Sequence, residues 1–212
     1  MDICVIAVAN QKGGVGKTTL AMNMAAGLTR RGSCIVVDAD PQRSATMWIA
    51  LSDSQREFPA KVVPAEDEIK KQIIQLQTEF DYIVIDCPPE IKSDSTLSAM
   101  EISQILLIPL LPSPMDLWAS TRIEELIKQI QQVNPTISAF VVLNQIEPRS
   151  AMSRGMDDAL QEINIPVLHH RLRRRASYRT AALEGCSVYD LGHRGQLASE
   201  EMDNIIDEVL VS

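Results

Sequence analysis

Eight consecutive residues, Lys12-Gly13-Gly14-Val15-Gly16-Lys17-Thr18-Thr19, concentrate more chemistry than any other stretch of this 212-residue chain. Glycines let successive backbone N–H groups turn inward around an anion. A helix starting at Thr18 points its positive end at that anion. Lys17 can bridge terminal phosphates, and the Thr18 hydroxyl can ligate Mg²⁺. The segment departs from the general phosphate-loop pattern G-x-x-x-x-G-K-[ST]. Gly16-Lys17-Thr18 fits the end of that pattern, but Gln11 stands where its first glycine belongs.

Phosphoryl transfer also needs a metal and an oriented water. Two apolar runs end in aspartates: Val36-Val37-Asp38-Ala39-Asp40-Pro41-Gln42, and Tyr82-Ile83-Val84-Ile85-Asp86 before Cys87-Pro88-Pro89. One such aspartate is weak evidence; two downstream of a phosphate loop are strong. A third run, Val141-Val142-Leu143, ends in Asn144. The stretch His169–Arg179 carries Arg171, Arg173, Arg174, Arg175 and Arg179 on a chain of net charge -8. Such a cluster either makes weak, salt-dependent contacts with nucleic-acid phosphates or forms a solvated, ion-paired surface.

These groups need elements to hold them. Buried strands are expected at Ile3–Ala9, Cys34–Asp38, Tyr82–Asp86, Gln104–Pro109 and Ser138–Leu143, with a short last strand at Val167–His169. Helical spacing predicts helices over Thr18–Arg31, Gln42–Leu51, Glu66–Glu79, Ser93–Ser103, Asp116–Val133, Met152–Ile163, Ser177–Glu184 and Leu197–Leu210. Ser52–Pro64 reads as loop with a short edge strand. This alternation calls for an α/β fold, a mostly parallel sheet with helices on both faces. Ligands then bind at the carboxyl ends of the strands, where the candidate residues fall. No linker-like stretch divides residues 1–212, so one domain is expected.

Composition narrows the classes. Hydrophobic residues make up 45% of the chain, enough for a sizeable core. The acidic balance argues against a protein whose whole surface binds nucleic acid, though not against a local basic patch. Cys4, Cys34, Cys87 and Cys186 lack C-x-x-C spacing, so zinc ribbons, redox motifs and metal-cluster roles are unsupported. They read as reduced, buried thiols. The three histidines do not sit at metal-ligand spacing. No signal peptide or membrane span is expected.

The run K-G-G-x-G-K-T resembles the deviant Walker A motif of the ParA/MinD family of P-loop ATPases. Asp38–Gln42 resembles that family's D-x-D-P-Q segment, and Asp86-Cys87-Pro88-Pro89 its Walker B end. Pro112-Ser113-Pro114-Met115-Asp116 resembles a P-S-P-x-D stretch near the dimer interface, and Gly185-Cys186-Ser187-Val188 a G-x-S-V stretch. The former is equally a proline-rich turn into a helix. The resemblance runs from Ile3 to the final helix, nearest to short ParA-type partition ATPases without an N-terminal helix-turn-helix region.

The resemblance implies a P-loop NTPase fold, with ATP and Mg²⁺ as cofactors and ATP hydrolysis as the activity. Nucleotide binding then falls to Lys12, Gly13, Gly14, Val15, Gly16, Lys17, Thr18 and Thr19. Asn144 contacts the base unless it only forms a turn, and the loop around Pro166–His170 covers the base's other face. Thr18, Asp40 and Asp86 serve the metal. Lys12, Lys17, Asp38 and Asp40 carry catalysis, Asp40 by positioning water and Asp38 by supporting the loop. Lys12 reaches the nucleotide of a second copy, so ATP builds a sandwich homodimer. The implied partners are nonspecific DNA, bound by Arg171, Arg173, Arg174, Arg175 and Arg179, and a ParB-like or cargo-adaptor protein that stimulates hydrolysis. One arginine, such as Arg171, could instead serve the nucleotide. The cargo would be a plasmid, a chromosome, or a protein assembly such as carboxysomes, in the cytoplasm on the nucleoid. The acidic Glu200–Ser212 segment lacks a basic amphipathic helix, against MinD-like membrane targeting. An ATP-dependent small-molecule ligase of the same superfamily or a MinD-like positioning ATPase is the alternative, and a DNA-coating polymer a third; intact Lys12, Asp40 and Asp86 argue against the last.

Overall fold

The computed structural model describes residues 3–52, 57–147 and 164–211, with backbone alone for 114–122. Six strands form one sheet: β1 (Cys4–Val8), β2 (Cys34–Asp38), β3 (Lys61–Pro64), β4 (Tyr82–Asp86), β5 (Ile105–Leu110) and β6 (Ser138–Leu143). Their order is β3-β2-β4-β1-β5-β6, and every pairing is parallel. The short edge strand expected before Pro64 is β3.

The apolar runs are continuous because both faces of the sheet are buried. Successive residues alternate between two cores. Ile6, Val8, Val36, Val84 and Leu107 join one core, with helix α1 (Lys17–Leu28), α2 (Ser44–Ala50), α6 (Ala176–Leu183) and α7 (Gln196–Val211). Val5, Ala7, Ile35, Ile85 and Leu106 join the other, with α3 (Ile69–Leu76), α4 (Asp94–Ile102) and α5 (Pro114–Val133). On the first face α1 packs unusually close. A Cβ at Gly27 would run into the Tyr189 hydroxyl and the Ile206 Cδ1, so those side-chain ends would have to shift to admit one.

Most expected elements form, with ends displaced by a few residues. The Glu66–Glu79 expectation shrinks to α3, Ile69–Leu76. The expected strand at Val167–His169 is corrected to a single bridge, Val141 to Val167. The chain bends at His169 and His170, whose N–H groups Glu208 accepts at 2.6 and 3.0 Å. A 3₁₀ helix, Val188–Arg194, was not expected; Gly192, at φ 55, kinks it. The helix expected at Met152–Ile163 lies outside the described residues. Among the described residues no helix is long and apolar enough to cross a membrane.

The topology fixes where a ligand must go. The helix after β1 covers one face and the helix after the adjacent β4 covers the other. A crevice therefore opens at the carboxyl ends of β1 and β4.

Candidate functional site

Strand register builds the floor of that crevice. Val8 on β1 pairs with Asp86 on β4, and Asp86 pairs with Asp38 on β2. Two carboxylates thus stand in one row with the last residue of β1, at the mouth of the loop that follows it. Parallel strands that each end in an apolar-to-aspartate step put both charges at one level.

The loop itself is held by side chains flanking it. Asn10 is buried; its amide donates to the Pro109 carbonyl at 2.8 Å and its Oδ1 accepts the Lys12 N–H at 3.0 Å. Gly14 and Gly16 have φ of 77° and 91°, a region L residues rarely adopt. A Cβ at Gly16 would also fall on the Asn144 amide. That amide donates to the Val15 carbonyl at 2.8 Å, while Asn144 Oδ1 accepts the Gln145 N–H at 2.8 Å. Asn144 therefore clamps the loop to the end of β6, a contact beyond the base contact or turn that the sequence suggests. Gln145 follows in the left-handed region at φ 56°.

Charges converge at the loop mouth. Lys17 is buried at 7% exposure, and its Nζ donates to the Lys12 carbonyl at 3.1 Å. Burial lowers its pKa, while Asp86 and Asp40 pull it back up. Asp86 is fully buried, and neither of its oxygens finds a hydrogen bond among the described residues. Burial first, then Asp38 and Asp40, push its carboxyl up to about 7. The Thr18 hydroxyl and Lys17 oppose this, Thr18 without satisfying either oxygen by hydrogen-bond geometry. Asp38 is half satisfied: Oδ2 accepts the Thr46 N–H and hydroxyl at 2.8 and 2.7 Å, while Oδ1 has no partner among the described residues. Asp40 forms a turn, its Oδ1 accepting the Gln42 N–H at 2.9 Å. Arg43, at φ 55°, reaches back to the Asp38 carbonyl at 3.3 Å.

These residues suit a hard cation. A buried carboxylate with two bare oxygens is costly until a positive charge meets it. Asp86, Asp40 and the Thr18 hydroxyl offer the oxygen donors Mg²⁺ prefers. No group of three or more His, Cys, Asp or Glu side chains among the described residues is placed to hold a metal. Few protein ligands beside substrate phosphates is the usual Mg²⁺ arrangement.

The arginine segment lies against the same loop. Arg173, Arg174, Arg175 and Arg179 line a cavity of about 270 Å³ with Gly16 and Asn144. Arg171 is half-buried outside it. The segment is pinned to the end of β6 by Leu172 N–H to the Leu143 carbonyl (2.9 Å), and to the residues after it by Arg174 N–H to the Ile146 carbonyl (3.1 Å). Three of its charges are paired: Arg174 with Glu147 at 2.8 Å, Arg175 with Glu201 at 2.6 Å, Arg173 with Glu201 at 3.6 Å. The ion-paired surface that the sequence allowed is thus present.

Several expected residues are placed differently in kind. Lys12, Gly13 and Gly14 are exposed on the outer side of the loop, whereas Val15 and Lys17 are buried. Ser187 and Val188 brace rather than line the site. Asn23 on α1 accepts the Val188 N–H at 2.8 Å, and Ser187 forms a capping box with Asp190. The side chains of Pro114–Asp116 lie outside the described residues. Sequence reasoning missed Asn10, Thr46 and Glu201. Asn10 carried a signal, as asparagines before glycine loops commonly bond two residues onward; Thr46 and Glu201 carried none.

Strand, glycine loop, helix and strand-end aspartates together define a nucleotide-binding α/β domain. The chain belongs to the CobQ/CobB/MinD/ParA nucleotide-binding domain family, CbiA, whose profile matches residues 6–188. It is 44% identical over 208 residues to the maintenance of carboxysome distribution protein A of Halothiobacillus neapolitanus, covering 98% of this chain and 96% of that one. Its fold matches apo McdA of Cyanothece with a TM-score of 0.80 at 19% identity, covering 98% of this chain and 99% of that one. It also matches cobyrinic acid a,c-diamide synthase of Mycobacterium smegmatis with bound ADP and magnesium, with a TM-score of 0.78 at 22% identity, covering 98% and 94%.

Proposed function

We propose that residues 1–212 act as one ATP-hydrolysing switch that positions a cargo, with carboxysomes the first candidate. The observation that carries the ATPase is the buried, bare Asp86 carboxylate beside Lys17 at the mouth of a glycine loop. The cargo rests on likeness to the carboxysome distribution protein, which extends along nearly the whole of both chains.

In this reading the loop amides between Gly13 and Thr19 and the start of α1 receive the phosphates of ATP. Lys17 neutralises the terminal phosphates, held in place by burial. Thr18, Asp40 and Asp86 hold Mg²⁺, which when bound offsets charge on the phosphoryl group being transferred. Asp40 orients the attacking water, and Asp38, tied to Thr46, stiffens the floor beneath it. Lys12 is exposed on the outer side of the loop, where it can act on the nucleotide of a second copy, as an arginine finger does. Hydrolysis then depends on an ATP-bound dimer.

The arginine segment is the DNA-binding candidate. Arg173, Arg174 and Arg179 are exposed, Arg171 is half-buried, and two copies side by side would double the contact. Arg175 is the weakest of the five, because Glu201 holds its half-buried guanidinium. A cargo-linked adaptor stimulates hydrolysis and release. No membrane partner is invoked.

The fold is shared with a synthase, so fold does not choose between switch and small-molecule ligase. Identity over the full chain favours the switch. The deciding experiment measures nonspecific DNA binding with ADP, ATP and a slowly hydrolysed analogue, for wild type and Arg173→Glu/Arg174→Glu. Binding that needs ATP and disappears in the variant supports the switch; nucleotide-independent or absent binding sinks it.

A further inference from the structure

We infer that Glu201, 184 positions after Lys17 on the last helix, is a positioning residue for the base-and-ribose side of the nucleotide site. The inference rests on reading the loop as the phosphate site.

Three observations converge on it. The cavity lined by Gly16, Thr19 and Asn144 is also lined by Arg173–Arg175 and Tyr178 of α6, so the arginine segment forms part of its wall. At about 270 Å³ it is just under the range for whole small-molecule sites, roughly 300–1,000 Å³, and so suits part of a ligand whose phosphates sit elsewhere. Glu201 holds that wall at two points. Its Oε2 accepts the Arg173 N–H at 3.2 Å, and it grips the Arg175 guanidinium with two bonds, 3.0 and 2.6 Å.

Burial makes the grip matter. Side chains of Arg175 and Glu201 are only 20% and 15% exposed, so water competes little for a bidentate, charge-assisted pair. By contrast, Arg174 and Glu147 are 57% and 55% exposed and hold little. Arg175 is also the residue from which α6 starts, and it caps that helix with no side-chain bond of its own. Its direction therefore sets where Tyr178 and Arg179 enter the cavity wall. Tyr178 in turn donates to the Ala198 carbonyl on α7 at 3.2 Å. The helix that carries Glu201 is fixed by buried Met202, Ile205, Ile206 and Val209, so the grip has a rigid base.

The test compares two probes that differ only beyond the phosphates: Mg·ATP and inorganic tripolyphosphate with magnesium. Binding is measured for wild type, Glu201→Gln, Arg175→Gln and the double variant. Each single variant should weaken ATP about tenfold and leave tripolyphosphate within twofold. The double variant should lose no more than either single one, because both remove one contact. In turnover, Glu201→Gln should raise the ATP KM about tenfold with kcat within about twofold. Arg175→Gln leaves α7 untouched and keeps the question open to answer should Glu201→Gln fold poorly. Unchanged ATP affinity in the variants would overturn the inference. Equal loss of both probes would overturn it too, by showing general damage to the loop. Wild type that binds neither probe would defeat the phosphate-site reading itself, a separately visible failure.

Discussion

Two charged regions meet at the Gly16–Asn144 contact, and they are finished to different degrees. On the phosphate side, among the described residues, Asp86 has two bare oxygens and Asp38 one, and Lys17 lies buried near them. On the arginine side, Arg173, Arg174 and Arg175 each meet a glutamate. A protein interior rarely leaves a carboxylate bare, because burial without a partner costs several kcal/mol. The incomplete region is therefore the one built for a charged ligand, and the complete region is first of all scaffold. Any DNA phosphate must compete with Glu147 and Glu201 for those guanidinium groups.

The sharpest way to break this contrast is to remove a charge from each side. Asp86→Asn and Lys17→Ala should each cut ATP turnover on the order of 100- to 1,000-fold, the usual effect of deleting one electrostatic group at such a centre. A steady-state phosphate-release assay at saturating ATP and Mg²⁺ checks this. Turnover within tenfold of wild type for both variants would mean that the bare carboxylate is not the working end.

Backbone strain comes next in size. Gly16→Ala forces a Cβ into a left-handed conformation and onto the Asn144 amide. The conformational cost alone is roughly 1–2 kcal/mol. At about 2–4 °C per kcal/mol for a chain of this size, melting should fall by about 3–8 °C. Gly13→Ala, where nothing lies within 4 Å of the added atom, should change melting by less than about 1 °C. Equal losses at both positions would refute the Asn144 clamp.

The third prediction uses pH. Asp86 titrates at about 7 in the folded chain, against about 3.9 when unfolded. Between those values the folded state holds the extra proton, so stability falls as pH rises through that window and levels off above it. From pH 6 to 8 the loss is about 1.4 kcal/mol, or about 3–5 °C in melting temperature. Wild type, with chelator and without nucleotide, should show this drop relative to Asp86→Asn, where every other titrating group is kept. Parallel curves for the two proteins would show that Asp86 is already charged and paired.

How much of this the sequence disclosed follows from what each signal depends on. Local chemistry was legible. The glycine loop, both strand-end aspartates and the order of strands and helices are written in runs of adjacent residues, and the structure forms them nearly as expected. What escaped depended on tertiary contact. Asn144 reads as a turn or a base contact, yet its amide lies on Val15, 129 positions away. Glu201 sits in an acidic helix like any solvent-facing glutamate until α7 brings it to Arg175. Val167–His169 reads as a strand because Val167 and Leu168 are apolar, but it meets β6 only in the Val141–Val167 bridge, and Glu208 takes the His169 and His170 N–H groups. The arginine run was legible as charge and illegible as geometry, since its partners Glu147 and Glu201 lie on separate elements.

The smallest predicted effect separates scaffold from surface within the arginine region. Arg174 and Glu147 are both more than half exposed, so their pair contributes little to stability despite a 2.8 Å contact. Glu147→Gln should move the melting temperature by less than about 1 °C, and 0.5 M salt should erase even that, because exposed pairs are screened. The same substitution frees Arg174 from its competitor. If Arg174 meets DNA phosphate, Glu147→Gln should therefore tighten ATP-dependent DNA binding by about two- to threefold at low salt while stability stays fixed. A titration with a fluorescent duplex in the ATP state measures it. Unchanged DNA affinity alongside unchanged stability would assign Arg174 to neither role and leave Arg173 and Arg179 as the contacts to remove next.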